Sequence, residues 1–165
     1  MHLILRGEIR TGVGNFSYWL DKLEPYYTRK TGMRLFPGTL NVHLTSGSYP
    51  TPANALRLER EEYGGRVSVS IVPCKIVDRK AFILRPDTDT GKHGDPPEMI
   101  LEIATDVNLR DTYKLKDGDI VEIEVSENSV QSAGCLLCLV RSLKDEDLSH
   151  GKMEGLVPDR AGHFG

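Results

Sequence analysis

A succession of short strand patterns constrains the fold of this chain most strongly. From Thr39 onward, apolar and polar residues alternate with the period of two that is typical of strands, and Gly, Pro, Asp and Asn clusters separate these runs. The patterns are TLNVHL, ALRLERE, RVSVSIVPCKIV, KAFILRP, MILEIAT and DIVEIEVS. HLILRGEIR, near the amino end, is a further strand pattern. Six or seven short strands predict a mainly β protein built as a barrel.

Two helix patterns accompany the strands. In FSYWLDKLEPYYTRKTG the apolar positions at helical spacing are Phe16, Leu20, Leu23 and Tyr27. Asn15 is placed to cap the start of this helix and Gly32 to end it, while Pro25 is expected to break or kink it. DVNLRDTYKL predicts a short second helix near residues 108–113, and KDGD predicts a tight turn into the last strand.

Length and composition favour one soluble domain. We assign residues 1–145 to a single barrel domain and residues 146–165, which lack periodicity, to a surface or mobile tail. The formal net charge of −3 gives no bulk attraction to nucleic acid or anionic membranes. No segment reaches the roughly 18 to 20 apolar residues that span a bilayer, and no signal peptide is evident. We therefore expect a cytoplasmic monomer with small-molecule partners, no membrane partner and no nucleic-acid partner.

The number and setting of the cysteines favour a role in core packing over disulfide formation or metal binding. The chain has three, an odd number that does not indicate a secreted disulfide framework. Cys135 and Cys138 form a C-x-x-C within the apolar run AGCLLCLVRSL, without a second cysteine pair or a nearby histidine pair. We interpret them as core residues, with a redox or metal role as the alternative.

Gly12 and Gly14 lie where the first strand gives way to a helix. Such a turn can direct backbone N–H groups toward an anion. Alternatively, glycine is needed there because the turn requires unusual backbone angles. The sequence contains neither a P-loop motif nor a dinucleotide fingerprint, so a bound nucleotide would not be held by either of those sites.

The strand in FPGTLNVHL has one apolar face and one polar face. Alternation places Leu40, Val42 and Leu44 on the apolar side and Thr39, Asn41 and His43 on the other. Thr39 and Asn41 offer neutral oxygens two residues apart, which are ligands that Mg²⁺ accepts beside water and phosphate oxygens. The alternative is a polar strand face turned to solvent.

Glu102 and Arg110 are the charged residues whose roles the pattern leaves open. Glu102 interrupts the apolar run MILEIA, so it lies on an exposed strand face or is partly withdrawn from water, which would raise its pKa and suit it to act as a general base. Arg110 could pair with Asp111 or Glu102, or contact phosphate.

Three segments together resemble one family. GEIRTGVGNF, TGMRLFPGTLNVHL and MILEIATDVNLRDTYKLKDGDIVEIEV, in this order and spacing, resemble the CTP-dependent riboflavin kinases first known from archaea. The similarity covers about residues 7–125, and PGTLN is its most specific element. The resemblance implies a six-stranded cradle-loop barrel, related to RIFT barrels. Its implied activity is transfer of the terminal phosphate of CTP to the ribityl 5′-hydroxyl of riboflavin with Mg²⁺, giving FMN and CDP.

The resemblance also implies roles for individual residues. Thr39 and Asn41 would bind Mg²⁺. The nucleotide-binding residues would be Gly12, Val13, Gly14 and Asn15 at the phosphates and Asn108, Leu109, Arg110 and Asp111 at the cytidine end. Thr90 and Glu102 would contact the flavin, with Thr88 and His93 as alternatives to Thr90. Glu102 is also the catalytic candidate, because it would orient or deprotonate the attacking hydroxyl.

The glycine loop departs from the family pattern. The family loop usually reads G-x-G-E-G, whereas Asn15 and Phe16 follow Gly14 here. A barrel that keeps a flavin or nucleotide pocket without turnover is therefore one alternative function. A DNA-binding or interaction barrel is another, which the mixture of basic and acidic residues between positions 57 and 80 disfavours.

Overall fold

The computed structural model describes residues 2–12, 14–87 and 97–126. Its strands are β1 (His2–Arg10), β2 (Leu40–Leu44), β3 (Leu56–Leu58), β4 (Val69–Ile76), β5 (Arg79–Pro86), β6 (Ile100–Ala104) and β7 (Ile120–Ser126). All their pairings are antiparallel. Each strand corresponds to one of the alternating patterns in the sequence.

Six of the strands close into a barrel. Neighbouring strands follow the order β4-β5-β6-β2-β1-β7, and β7 pairs back onto β4. At this closure Ile76 lies opposite Ile123 and Lys75 lies opposite Glu124. The remaining strand, β3, pairs with β4 outside the closed ring. The prediction of a mainly β, six-stranded barrel is confirmed.

Two groups of buried side chains stabilise this arrangement. The barrel interior contains Ile9, Val42, Leu101, Ile103 and Ile123, all of which are fully buried. A second group packs the two helices that follow β1 against the outer faces of β3, β4 and β5; its members include Leu20, Tyr27, Leu58, Ile71 and Phe82. Consecutive residues of a strand pack alternately into the first and the second group, because their side chains point to opposite faces of the sheet.

The predicted first helix is divided into two. Its parts are α1 (Phe16–Lys22) and α2 (Glu24–Thr31), and Pro25 lies in the first turn of α2. Proline has no backbone N–H and its ring crowds the preceding turn, so the break predicted at this residue occurs. Gly32 ends α2 in the left-handed conformation with φ of 72°. Asn15 lies at the start of α1 but makes no side-chain capping hydrogen bond.

A short helix replaces the end of one predicted strand. In ALRLERE only Leu56–Leu58 is a strand, and α3 (Arg60–Tyr63) begins two residues later. The Glu59 side chain accepts a hydrogen bond from the N3 backbone, and the backbone N–H of Glu59 donates to Glu62 at 2.7 Å. This reciprocal capping satisfies N–H groups that the helix start would leave unpaired. The strand prediction was therefore wrong beyond Leu58.

The short helix predicted near residues 108–113 is confirmed as α4 (Leu109–Tyr113). No helix within the described ranges is long and apolar enough to cross a membrane. The tail at 146–165, the C-x-x-C at Cys135 and Cys138, and the proposed domain limit at residue 145 lie outside the described residues.

The closure of the barrel predicts a stability contrast within β7. Ile123→Ala is expected to lower the free energy of unfolding by about 2 to 5 kcal/mol, because Ile123 is fully buried at the β4–β7 junction. Ile120→Ala in the same strand serves as the control, since Ile120 is exposed and its truncation should cost about 0.5 kcal/mol or less. Urea denaturation of both variants measures the difference. Equal losses would contradict the observed closure.

Candidate active site

A cavity of about 380 Å³ opens where β1 ends, beside β2 and β6. Residues from four separate segments line it, among them Gly12, Gly14, Thr39, Asn41, Glu102 and Arg110. These six are all sequence-predicted site residues, and the fold brings them together although they span almost 100 positions of the chain. The polar face of β2 is thus turned toward a cavity.

Strand β2 positions the two candidate metal ligands. Leu40, Val42 and Leu44 are buried in the barrel, whereas Thr39 and Asn41 are half-buried on the other side. Asn41 lies opposite Glu102 of β6 in the antiparallel ladder. The predicted division of this strand into an apolar and a polar face is confirmed.

Glu102 is half-buried between fully buried neighbours. Leu101 and Ile103 point into the barrel, so the Glu102 side chain points the other way, toward the cavity. Its Oε2 accepts a hydrogen bond of 2.8 Å from the Thr39 hydroxyl. Its negative charge also acts on Tyr27, whose pKa is raised first by burial, then by Tyr63, and then by Glu102. A carboxylate partly withdrawn from water therefore faces the cavity.

The donor set suits a hard cation. The Thr39 hydroxyl donates its proton to Glu102, so its lone pairs remain available to a metal ion. With the Asn41 amide and the Glu102 carboxylate, the cavity presents the oxygen chemistry that Mg²⁺ accepts. Among the described residues, no group of three or more His, Cys, Asp or Glu could hold a metal. Thr39 and Asn41, the two ligands that the sequence predicts, could hold Mg²⁺ here beside oxygens of a bound phosphate.

The glycine loop passes directly over these residues. A Cβ atom at Gly12 would overlap the amide nitrogen of Asn41, while one at Gly14 would lie 3.9 Å from Glu102 Oε1. Gly12 is not among the described glycines that have a positive φ, so its close approach to Asn41, rather than a left-handed backbone conformation, accounts for glycine at this position. Val13 lies outside the described residues, and Asn15 does not line this cavity.

This close approach leads to a prediction for Gly12→Ala. The added methyl group should displace the Asn41 amide. If Asn41 binds Mg²⁺, the Mg²⁺ concentration required for half-maximal kinase turnover should rise by about tenfold, with little change in melting temperature. The matched variant Gly14→Ala adds its methyl group at an ordinary contact distance and should leave the Mg²⁺ requirement nearly unchanged. Magnesium titrations of turnover compare the two. The same Mg²⁺ requirement in both variants would contradict the steric explanation.

The NLRD turn adjoins the same region. Asn108 caps α4, since its Oδ1 accepts hydrogen bonds from the backbone N–H groups of Arg110 and Asp111 at 3.1 and 3.3 Å. A second cavity of about 290 Å³ is lined by Asn108, Leu109 and Arg110 and shares Thr39 and Arg110 with the first. Asp111 lines neither cavity; it accepts a hydrogen bond from the Asn108 amide at 2.9 Å.

A third cavity, of about 530 Å³, has four aromatic residues in its lining. They are Phe16, Trp19, Tyr27 and Tyr63, and Phe16 also lines the first cavity. The third cavity therefore adjoins the first one at Phe16. The predicted flavin contact Thr90 and its alternatives Thr88 and His93 lie outside the described residues.

Comparison with known proteins agrees with this geometry. The family model for CTP-dependent riboflavin kinases, which carries the description "Domain of unknown function DUF120", matches residues 9–125. The chain belongs to the CTP-dependent riboflavin kinase family. The matched range begins just before the glycine loop and ends within β7, so it contains every described residue of the candidate site.

Individual relatives support the same family assignment. A riboflavin kinase of Methanocella arvoryzae is 34% identical over 127 residues, covering 73% of this chain and 56% of that protein. One of Methanospirillum hungatei is 34% identical over 137 residues, or 75% and 58% of the two chains. One of Staphylothermus marinus is 30% identical over 125 residues, or 74% and 92%. The chain thus spans somewhat more than half the length of the first two relatives.

Asp117 is a residue of this region that the sequence analysis did not single out. Arg110 forms an ion pair with this residue, since its Nη2 lies 2.6 Å from Oδ1 of Asp117. Asp117 belongs to the KDGD segment, which the sequence marks only as a turn. KDGD also lies within the third segment that resembles the family, and that overlap was the signal that could have pointed to Asp117.

Three of the basic residues between positions 57 and 80, the segment considered for a nucleic-acid surface, form ion pairs with carboxylates. Arg57 contacts Glu59 and Asp87, Arg60 contacts Glu61, and Arg79 contacts Asp106. These pairs distribute charge of both signs over the surface, which gives no continuous basic patch for a phosphate backbone among them.

Proposed function

We propose that the chain transfers the terminal phosphate of CTP to the ribityl 5′-hydroxyl of riboflavin, giving FMN and CDP in a Mg²⁺-dependent reaction. One observation carries this proposal: the glycine loop, Thr39, Asn41 and Glu102 line a single cavity, and the NLRD turn adjoins it. The assignment to the family supplies the substrates that this cavity would join. A nucleotide would extend from the NLRD turn to the glycine loop, with its terminal phosphate near Glu102.

The negative charge on the CTP phosphates would have to be neutralised in the cavity. The glycine loop would offer backbone N–H groups, and the Arg110 guanidinium stands at the junction of the first and second cavities. Thr39 and Asn41 would hold Mg²⁺, which when bound neutralises charge that develops on the phosphate oxygens. Phosphoryl transfer depends mainly on such positioning and neutralisation, so few reactive side chains are needed.

Glu102 would act on the attacking hydroxyl. Its Oε2 is fixed by the Thr39 hydroxyl, and its Oε1 faces the glycine loop. As the riboflavin oxygen bonds to the terminal phosphorus, the bond from that phosphorus to the CDP oxygen breaks and the hydroxyl proton passes to Glu102. In-line transfer requires the attacking oxygen of riboflavin and the leaving oxygen of CDP to lie on opposite sides of the transferred phosphorus.

The aromatic cavity offers a place for the flavin ring system. A planar, largely apolar ring packs well against aromatic side chains, and Trp19, Tyr27 and Tyr63 line a space of about 530 Å³. Phe16 borders both this space and the polar cleft, so a ribityl chain could run past it toward Glu102.

A nucleotide panel tests the proposal. The protein is incubated with riboflavin, Mg²⁺ and each of the four nucleoside triphosphates in turn, and FMN is measured by chromatography. CTP is expected to give the fastest FMN formation, and omission of Mg²⁺ is expected to stop it. Preference for ATP would overturn the donor assignment, while absence of FMN with every nucleotide would overturn kinase function.

A further inference from the structure

We propose that Asp117 is a positioning residue that fixes the glycine loop and Arg110 relative to each other for nucleotide binding. This inference rests on the proposed function, because it assigns a task to a residue beside the same cleft. Asp117 itself does not line the first or the second cavity. Its effect would therefore be exerted through Thr11 and Arg110, which do line the first cavity.

The turn that carries Asp117 is anchored on both sides of the residue. The backbone N–H of Ile9 donates to the carbonyl of Asp119, and the N–H of Gly118 donates to the carbonyl of Ile9, both at 2.9 Å. Within the turn, the Lys116 N–H donates to the Asp119 carboxylate at 2.8 Å. Gly118 has φ of 94°, a backbone conformation that favours glycine. The Cα of Asp117 is thereby held at a fixed place beside the end of β1.

Each carboxylate oxygen of Asp117 accepts hydrogen bonds from a different segment of the chain. Oδ2 accepts from both the backbone N–H and the hydroxyl of Thr11, at 3.2 and 2.5 Å. Oδ1 accepts from the Arg110 guanidinium at 2.6 Å. Thr11 is the residue immediately before Gly12, so this bridge holds the start of the glycine loop. Two segments about 100 positions apart thus meet on one side chain.

The Asp117 carboxylate is expected to stay ionised at neutral pH, so its contacts with Thr11 and Arg110 persist there. The Thr11 hydroxyl, followed by the Arg110 guanidinium, holds the pKa of Asp117 below its usual range. Because the folded-state pKa is lowered, the carboxylate keeps its negative charge and its acceptor role until the pH falls through that lowered value. The ion pair also offsets the charge that Asp117 would otherwise present to a nearby phosphate.

The Asp117–Arg110 ion pair is partly exposed, which indicates that it positions the two segments rather than stabilises the barrel. The side chain of Asp117 is 51% exposed and that of Arg110 is 33% exposed. Ion pairs this exposed add little to the free energy of unfolding. Loss of Asp117 should therefore affect the geometry of the two nucleotide-contacting segments more than the stability of the barrel.

Substitutions of Asp117 test the inference by separating binding from stability. Asp117→Asn keeps an acceptor for Thr11 but loses the charge that holds Arg110, and Asp117→Ala loses both links. The dissociation constant for CTP with Mg²⁺, measured by calorimetry, should rise about tenfold in Asp117→Asn and further in Asp117→Ala. The dissociation constant for riboflavin and the melting temperature should stay nearly unchanged, and turnover at saturating substrates should fall by less than about threefold.

Glu61→Gln is the matched control. It removes an exposed carboxylate in α3 that accepts a hydrogen bond from Arg60 at 2.8 Å, and Glu61 itself lines none of the three cavities. This variant should bind CTP as the unmodified chain does. Unchanged or tighter CTP binding in Asp117→Ala would overturn the inference, and so would a parallel loss of CTP binding, riboflavin binding and melting temperature.

Amide hydrogen exchange makes the test independent of the proposed function. Asp117→Ala should speed exchange at Thr11 and in the segment 109–111, whereas Glu61→Gln should not. If the unmodified chain binds no CTP, the kinase proposal fails while this exchange result still decides whether Asp117 holds both segments. Unchanged exchange at both places would overturn the inference in either case.

Discussion

Thr39→Val and Asn41→Leu are each expected to lower the turnover of riboflavin phosphorylation by about a hundredfold or more. Each substitution keeps the approximate side-chain volume but removes an oxygen from the cavity. The melting temperature should change little, because both side chains are only half-buried and neither contributes to the barrel interior. Steady-state kinetics with saturating riboflavin, CTP and Mg²⁺ measures the loss, and thermal unfolding measures the stability.

His43→Gln provides a control on the same strand. His43 follows Asn41 on the polar face of β2 but does not line the cavity. Its substitution should leave turnover within about twofold of the original value, since it removes no cavity-facing oxygen. Full activity in Thr39→Val or Asn41→Leu would mean that this strand face is merely solvated.

Glu102→Gln is expected to reduce the rate of the chemical step by about a hundredfold or more, because general base catalysis typically contributes about 10² to 10⁴. The amide keeps the shape of the side chain and can still accept the hydrogen bond from Thr39. Riboflavin binding should therefore largely survive. Single-turnover kinetics at saturating riboflavin and CTP isolates the chemical step, and fluorescence titration follows riboflavin binding.

A purely structural role for Glu102 makes a different prediction. If the carboxylate only held Thr39 in place, Glu102→Gln would preserve that contact and the chemical rate would be unchanged. That outcome would remove Glu102 from the catalytic residues, and Mg²⁺ with correct alignment would then suffice for the reaction. If Glu102 instead pairs with Arg110, neutralising it should weaken CTP binding while the chemical rate at saturation stays unchanged.

The strands could be predicted because burial alternates along them. In β2 the sequence order of Leu40, Asn41 and Val42 translates directly into buried, half-buried and buried side chains. The helix α3 was not predicted, since ALRLERE carries apolar alternation only as far as Leu58. Beyond Leu58, reciprocal capping between Glu59 and Glu62 favours a helix over continued strand pairing. The alternating pattern of the preceding residues obscures this capping signal in the sequence.

The site could be predicted where its residues form a short motif. Thr39 immediately precedes β2 and Asn41 lies within it, so period-two spacing was enough to place both beside the same cavity. Spacing could not show that Gly12 packs against Asn41 or that Asp117 joins Thr11 to Arg110. Those contacts depend on the pairing of β1 with β2 and β7, which brings together segments whose separation in sequence gives no local signal.

The most direct test tracks the terminal phosphate of CTP itself. The protein, in excess over riboflavin, is mixed with Mg²⁺ and CTP that carries a radiolabel on its terminal phosphate, and the products are separated over time. The label is expected to move into FMN in a single exponential phase, without labelled protein, and Asn41→Leu should slow this transfer by about a hundredfold. Label released as inorganic phosphate, or retained in CTP while riboflavin and CTP are both bound, would contradict phosphoryl transfer in this cleft.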